Sequence, residues 1–306
     1  MAIIQQNTAN LARLANVLDL KAKPESKYKR LKRFLRAAPL DGVVFAKLMI
    51  AILKPSGKYI LALDRTEWKY GKVWVNILTL SIVAGNTSIP LFWQTLNRKG
   101  NSTLAEKQAI IDRYIKEFGV EKIEYFCADR EFDGIEFVRY LQNKRVPFRL
   151  RLKVSMPITD KKGKLMKCGK LLRTLKTGEN YKLRRARKYG GVKVWVEVER
   201  GGDTKASVIV ISSENSGQIL LEYKQRWKIE TLFQNLKSRG FELEETHLTE
   251  AGKIDKLFGV LALAAAWAVK TGELESAENP IEIKNNAQRA KKFVQTRMRD
   301  HSGSLV

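Results

Sequence analysis

From Lys58 onward the chain alternates between two hydrophobic periods, and their order dictates the architecture. Three β-rich apolar runs come first: Tyr59 to Leu63, Val73 to Val83 and Ile89 to Leu96, the last two separated by a Gly85-Asn86-Thr87 turn. A helical stretch follows from Ser102, placed as N-cap, to Phe118. A short apolar strand, Ile123 to Ala128, leads to a helix over Asp133 to Asn143 and a strand over Pro147 to Val154. Strands interleaved with helices in this way require an α/β fold, a mixed sheet with helices flanking it. Asp64 and Asp129 stand at the ends of the first and fourth predicted strands.

The stretch from Arg149 to Lys205 departs from this pattern. It holds 18 Lys/Arg against 5 Asp/Glu, about half of the chain's net charge of +25. Val192-Lys193-Val194-Trp195-Val196-Glu197-Val198-Glu199 alternates as a strand, and Gly190-Gly191 and Gly201-Gly202 bound it as turns. We read a basic antiparallel β insertion here. Ser207 to Ser213 is a further apolar strand, Gly217 to Arg239 a long helix and Thr249 to Lys270 another, with a polar tail from Gly272. The expected division is a helical DNA-binding region over 1–57, a core over 58–148 and 207–275, the insertion over 149–206, and a tail over 276–306.

Composition narrows the chemistry. Two cysteines, Cys127 and Cys168, make no disulfide framework, and two histidines, His247 and His301, make imidazole-based zinc chemistry improbable. The apolar fraction of 44% excludes a disordered or fibrous chain. The opening residues lack a signal-peptide pattern, and the apolar run Leu257 to Val269 is too short to span a bilayer. We therefore expect a reduced, cytoplasmic protein with no membrane partner. A sequence pI near 10.0 leaves a polyanion as the obvious partner. Between Lys21 and Arg36 there are eight Lys/Arg and one acid, with Leu31, Phe34 and Leu35 at helical spacing. Lys29, Arg30 and Arg33 on the other faces are candidate phosphate contacts, as are Arg184, Arg185 and Arg187 in the insertion.

The third candidate acid is Glu230. On a helix of about 100° per residue, Tyr223, Arg226, Glu230 and Lys237 fall in a wedge about 60° wide. Leu221, Ile229, Leu232, Phe233 and Leu236 fall on the opposite side, so one face packs and the other presents a carboxylate flanked by cations. Asp64, Asp129 and Glu230 together suit two-metal phosphoryl transfer, because Mg²⁺ takes oxygen ligands and keeps waters. Taken singly, each acid is equally a cap or turn residue. Cys127 is expected in the core, His247 in a cap or packing role, and Trp68 and Trp74 in the core rather than against bases.

The Tyr223, Arg226, Glu230, Lys237 spacing resembles the Y-R-E-K signature of the bacterial insertion-sequence-four family of DDE transposases. Asp64-Arg65-Thr66 with Trp68, Asp129-Arg130-Glu131-Phe132, Glu230-Thr231-Leu232-Phe233 and Lys237-Ser238-Arg239-Gly240-Phe241 are similar to that family's other motifs. The resemblance spans roughly Lys21 to Gly272. It implies an RNase H-like catalytic core with a β-rich insertion before the glutamate helix. It implies metal binding by Asp64, Asp129 and Glu230, with two Mg²⁺ ions or Mn²⁺ as substitute. Tyr223, Arg226 and Lys237, with Arg130 beside the second aspartate, would hold DNA. Trp227 matches an aromatic that supports hairpin formation in some relatives, whereas the Trp that some carry before a Thr-Ser-Glu stretch is Val208 here, ahead of Ser212-Ser213-Glu214.

The implied activity is cut-and-paste transposition on double-stranded DNA, at terminal inverted repeats and a target, by a homodimer in the synaptic complex of a bacterial nucleoid. Two other readings stand beside it. One is an RNase H-like nuclease without strand transfer; the other is a non-catalytic, transposase-derived DNA-binding protein.

Overall fold

The computed structural model describes residues 2–96, 98–203 and 206–278, the side chains of 238 and 239 excepted. Most of the expected tail, 279–306, and His301 within it lie outside the described residues.

Four helices come first: α1 (Ala2–Gln6), α2 (Leu11–Val17), α3 (Pro24–Ala37) and α4 (Gly42–Leu53). Asn10 caps α2 by accepting from Ala12 and Arg13 N–H, and Asp41 caps α4 through Val43 N–H. In α3, Leu35 is buried while Lys29, Arg30 and Arg33 are exposed. Phe34, expected on the packing side, is exposed, because only one edge of this highly charged helix meets the rest of the protein.

β1 (Tyr59–Tyr70), β2 (Val73–Ala84) and β3 (Thr87–Leu96) form an antiparallel meander. Val75 to Ile82 is buried at every position, as expected of a central strand covered on both faces. β1 is twice as long as the sequence suggested, so Asp64 lies in mid-strand opposite Thr79 rather than at a strand end. Cross-strand pairing to β2 carries the chain through the polar residues after Leu63, overriding their weak apolar signal. α5 (Leu104–Phe118) starts at a capping box of Thr103 and Glu106, not at Ser102, whose hydroxyl is buried.

β4 (Ile123–Ala128) then pairs in parallel with β1, α6 (Ile135–Asn143) crosses back, and β5 (Phe148–Arg151) pairs in parallel with β4. β5 is shorter than the predicted Pro147 to Val154.

The basic segment contributes short strands β6 (Pro157–Thr159), β7 (Leu165–Lys167), β8 (Asn180–Lys182) and β9 (Arg187–Tyr189), then β10 (Val192–Glu199). It is not a module set apart. β11 (Val208–Ser212) pairs with β5 and leaves a free edge, which β10 occupies, and β8 follows β10. The result is a nine-stranded mixed sheet in the order β3-β2-β1-β4-β5-β11-β10-β8, with β9 paired to β10. Gly190 and Gly191, both at positive φ (56° and 90°), make the two-residue hairpin between β9 and β10. A Cβ on Gly190 would lie 2.0 Å from Ile135. Gly190→Ala is therefore expected to cost about 2 kcal/mol in chemical denaturation; an unchanged midpoint would mean that the hairpin can move off α6.

The long helix expected over 217–239 is broken into α7 (Ile219–Lys224), α8 (Trp227–Gln234) and a π-helical turn over Asn235–Arg239. α9 (Ala251–Glu278) runs past the predicted end at Lys270. By length and composition α9 would cross a bilayer, yet Ile254, Leu257, Phe258, Leu261 and Ala262 are buried, and the helix packs against β3 and α4.

Candidate active site

Strand register assembles the first half of the site. Leu63 pairs with Ala128 across β1 and β4, and Ala128 with Leu150 across β4 and β5. One residue further along, Asp64, Asp129 and Arg151 therefore form a row on one face of the sheet, at the point where β4 and β5 end. Asp64 and Arg151 lie within β1 and β5, and Asp129 is the first residue of the turn after β4. Arg151 was not anticipated from the sequence; its sole signal was the strand position two after Arg149. Its Nη1 stands 3.5 Å from Asp129 Oδ1, and its Nη2 donates to Ser207 O at 3.2 Å.

The broken helix supplies the second half. Ile229, Leu232, Phe233 and Leu236 are buried as expected, whereas Leu221, assigned to the same face, is 53% exposed. The interruption at Gln225 and Arg226 changes the phase of α7 relative to α8, so a single helical wheel misplaces Leu221. Tyr223 and Arg226 do share a face with Glu230, but that face turns toward Asp64 and Asp129 and not to solvent. They are 2% and 3% exposed and point into the site.

Arg226 is the hub. Its Nη1 donates to Asp64 Oδ2 at 3.3 Å, its Nη2 to Glu230 Oε1 at 2.7 Å, and its Nε to the Tyr223 hydroxyl at 2.9 Å. That hydroxyl donates to Asp129 Oδ1 at 3.1 Å. All three predicted acids thus meet through one guanidinium, Asp129 by way of the tyrosine. Lys237 lies apart from the acids. Its Nζ donates to Glu67 O at 2.8 Å, pairs with Glu244 and sits over Trp68, which is buried in the core as expected.

A second fork braces the row. Arg65 Nε and Nη2 donate to the two oxygens of Glu131 at 3.0 and 3.1 Å, and its Nη1 to Glu67 at 2.6 Å. This bidentate pair ties the turn after β4 to β1, fixing Asp129 beside Asp64. The sequence motifs contained both residues without revealing that they pair.

The two aspartates are driven in opposite directions. Burial pushes the Asp64 carboxyl up to about 7, against the pull of the Arg65 N–H bond and of Arg226, with Glu131 and Asp129 adding to the rise. Burial also pushes on Asp129. There the Arg130 N–H bond, Arg226, Arg151 and the Tyr223 hydroxyl prevail and hold it below the usual carboxylate range. Environments that separate a pair of carboxylates in this way mark functional sites more often than structural ones.

By donor type the acids fit a hard divalent cation: three carboxylates, with no imidazole or thiolate among them. By spacing they are arranged around Arg226. Among the described residues no three Asp, Glu, His or Cys side chains stand close enough to share one ion.

The remaining candidates are dispersed. Arg130, Arg184 and Arg185 are exposed. Arg187 is not; it is 8% exposed and its Nη1 donates to Arg185 O and Ala186 O, so the alternation of β9 turns it inward. Arg149 is likewise buried, paired with Glu222 and stacked over Tyr125. Part of the segment's basic charge is therefore internal. Trp227, beside Arg226, is 42% exposed. Cys127 is a core thiol, pushed up to about 12 by burial, and His247 stacks on Tyr70.

The family described as transposase DDE domain matches residues 55–267. The chain belongs to that family. The matched stretch of the DDE domain runs from just before β1 into α9 and includes every residue of the network described above. No curated protein matches the chain. Among solved structures, endonuclease V from Bacillus subtilis is similar at 10% identity and a TM-score of 0.30, over 85% of this chain and 98% of that one. Marinitoga piezophila Argonaute, in complex with a guide RNA and target DNA, is similar at 13% identity and a TM-score of 0.25, over 79% of this chain and 35% of that one.

Proposed function

We propose that the chain is a metal-dependent transposase of the bacterial insertion-sequence-four type, acting on terminal inverted repeats by cut-and-paste. The observation that carries this reading is the convergence of Tyr223, Arg226 and Glu230 with Asp64 and Asp129 in one hydrogen-bonded cluster. Asp64, Asp129 and Glu230 would hold Mg²⁺, or Mn²⁺, in two positions. The ions would supply a nucleophile at neutral pH and charge stabilisation at the reacting phosphate.

The chain's own residues have defined tasks in this scheme. The parallel strands keep Asp64 and Asp129 at fixed separation, and the Arg65–Glu131 fork keeps them so when DNA arrives. Tyr223 orients Asp129 through its hydroxyl. Arg226 and Lys237 take phosphate oxygens at the element's end, and Trp227 offers an exposed ring to an unstacked base. In the first step water attacks the phosphorus and the 3′-oxygen leaves as a hydroxyl. In the second, that hydroxyl attacks a target phosphodiester, one bond replacing another. Two protomers would bring two ends together.

Joining of pre-cleaved ends tests the reading. Given such ends, a supercoiled target and Mg²⁺, the protein is expected to form joined products, and Lys237→Ala to reduce them more than tenfold. If the protein degrades DNA and never joins an end, the nuclease reading replaces this one.

The exposed basic face of α3 is proposed to follow the duplex backbone, with Arg130, Arg184 and Arg185. Replacing Lys29, Arg30 and Arg33 with Ala should lower the slope of log affinity against log salt by about 0.9 for each phosphate no longer neutralised. Arg187→Ala should leave that slope unchanged, since the side chain is internal. A slope unaffected by the α3 changes would remove that helix from the DNA interface.

A further inference from the structure

Arg226 is a cation buried among acids. Each of its three guanidinium nitrogens donates to a different partner, and two of those partners are carboxylates. Among the described residues it is the one cation in ion-pair range of Asp64 or of Glu230. Asp129 is also approached by Arg151, so Arg226 matters most for the other two acids. With 3% of its side chain exposed, the guanidinium offers no open edge to a phosphate. To grip DNA it must leave the acids. A divalent cation seated between Asp64 and Glu230 would in turn face a positive charge within a few ångströms, at low effective dielectric.

We infer that Arg226 is the resident counter-ion of the acid cluster and excludes a divalent cation from Asp64 and Glu230 until a DNA phosphate draws the guanidinium away. The inference rests on reading Asp64, Asp129 and Glu230 as metal-binding acids, and adds to it a coupling between metal and DNA. The chain without DNA binds metal weakly, because the metal must displace a well-paired guanidinium. DNA gives that guanidinium another anion, and the vacated carboxylates then require a new cation. By linkage, metal must tighten DNA binding by the same factor that DNA tightens metal binding. Such an arrangement confines metal loading, and with it phosphodiester cleavage, to protein already holding a DNA end.

The test measures Mn²⁺ binding to the full chain by calorimetry, with and without a short duplex of arbitrary sequence. The comparison is between wild type and Arg226→Gln. Without DNA, Arg226→Gln is expected to bind Mn²⁺ about tenfold more tightly than wild type. Mn²⁺ should also raise its melting temperature by more than it raises that of wild type. Addition of duplex should tighten Mn²⁺ binding about tenfold in wild type and much less in the variant. If Arg226→Gln folds only with metal present, that requirement itself supports the inference, and Arg226→Met, which fills the space without a charge, supplies the affinity comparison. Equal or weaker Mn²⁺ binding by Arg226→Gln overturns it. Should Asp64→Asn abolish Mn²⁺ binding while Arg226→Gln matches wild type, the exclusion alone fails. If wild type binds no Mn²⁺ under either condition and the Asp64 and Arg226 changes make no difference, the metal-site reading fails and takes the inference with it.

Discussion

Asp64→Asn, Asp129→Asn and Glu230→Gln are each expected to lower DNA cleavage in Mg²⁺ by about a thousandfold or more, with duplex binding nearly retained. The three acids do not stand equally. Asp64 and Asp129 are fixed by strand register in one row, where an oxygen lost to an amide cannot be replaced by a neighbour. Glu230 is half-exposed on α8 and, among the described residues, is held by Arg226 alone. Its loss should therefore leave slightly more residual activity than loss of either aspartate. Because the acids act as a unit, a double substitution should be little worse than the poorer single one. Single-turnover cleavage of end DNA, alongside equilibrium binding of the same DNA, measures both quantities. A variant that cuts at near wild-type rate removes its residue from the chemistry. Variants that lose binding and cleavage together would instead make the acids structural.

Much of the site was legible because its acids sit on elements with clear periodicity. The apolar runs before Asp64 and Asp129 identified strands, and a parallel β1–β4 pair places such residues side by side. The i, i+3, i+7 spacing of Tyr223, Arg226 and Glu230 correctly grouped them. It did not reveal which way they face. A continuous wheel assigned Tyr223 and Arg226 to an exposed wedge, but the wedge faces Asp64 and Asp129 and both side chains are buried. Periodicity reports which residues share a face; it carries no information on whether partners exist to satisfy a buried guanidinium. Which strands the basic segment would pair with was not legible for a related reason. Its alternation announced a strand, yet nothing local says whether that strand pairs within a module or with the open edge of β11. Long-range pairing decided it, and Arg149 on β5 is buried opposite Ser212 of β11.

Without divalent cation, the wild-type protein is expected to lose stability as pH rises from about 4 to about 7, whereas Asp64→Asn should lose much less. In the unfolded chain Asp64 titrates near 3.8; in the folded chain burial has pushed it up to about 7. The folded state therefore binds the proton more tightly, and between those values unfolding releases it. Stability accordingly falls with rising pH across that window and levels off above it. A displacement of about three units corresponds to at most about 4 kcal/mol, since each unit is worth about 1.4 kcal/mol. Other shifted carboxyls do not mimic this. Asp129 is held low, and Glu106 is held at about 2 by Arg98, so their contributions disappear only as pH falls below about 4. Asp255 is raised by burial and slopes the same way as Asp64, but it is common to both proteins and cancels in the comparison. Urea denaturation between about pH 4 and pH 8, with chelator present, should give curves that nearly meet at the acid end and separate toward neutrality, with Asp64→Asn the more stable. Parallel curves would mean that Arg226 compensates the ionised Asp64 fully and that its burial costs the fold nothing. With duplex DNA present, addition of Mg²⁺ should raise wild type above its metal-free curve near pH 8 and leave Asp64→Asn where it was. A carboxylate that destabilises the fold when ionised, and is relieved by a divalent cation, is selected for ligation rather than for folding.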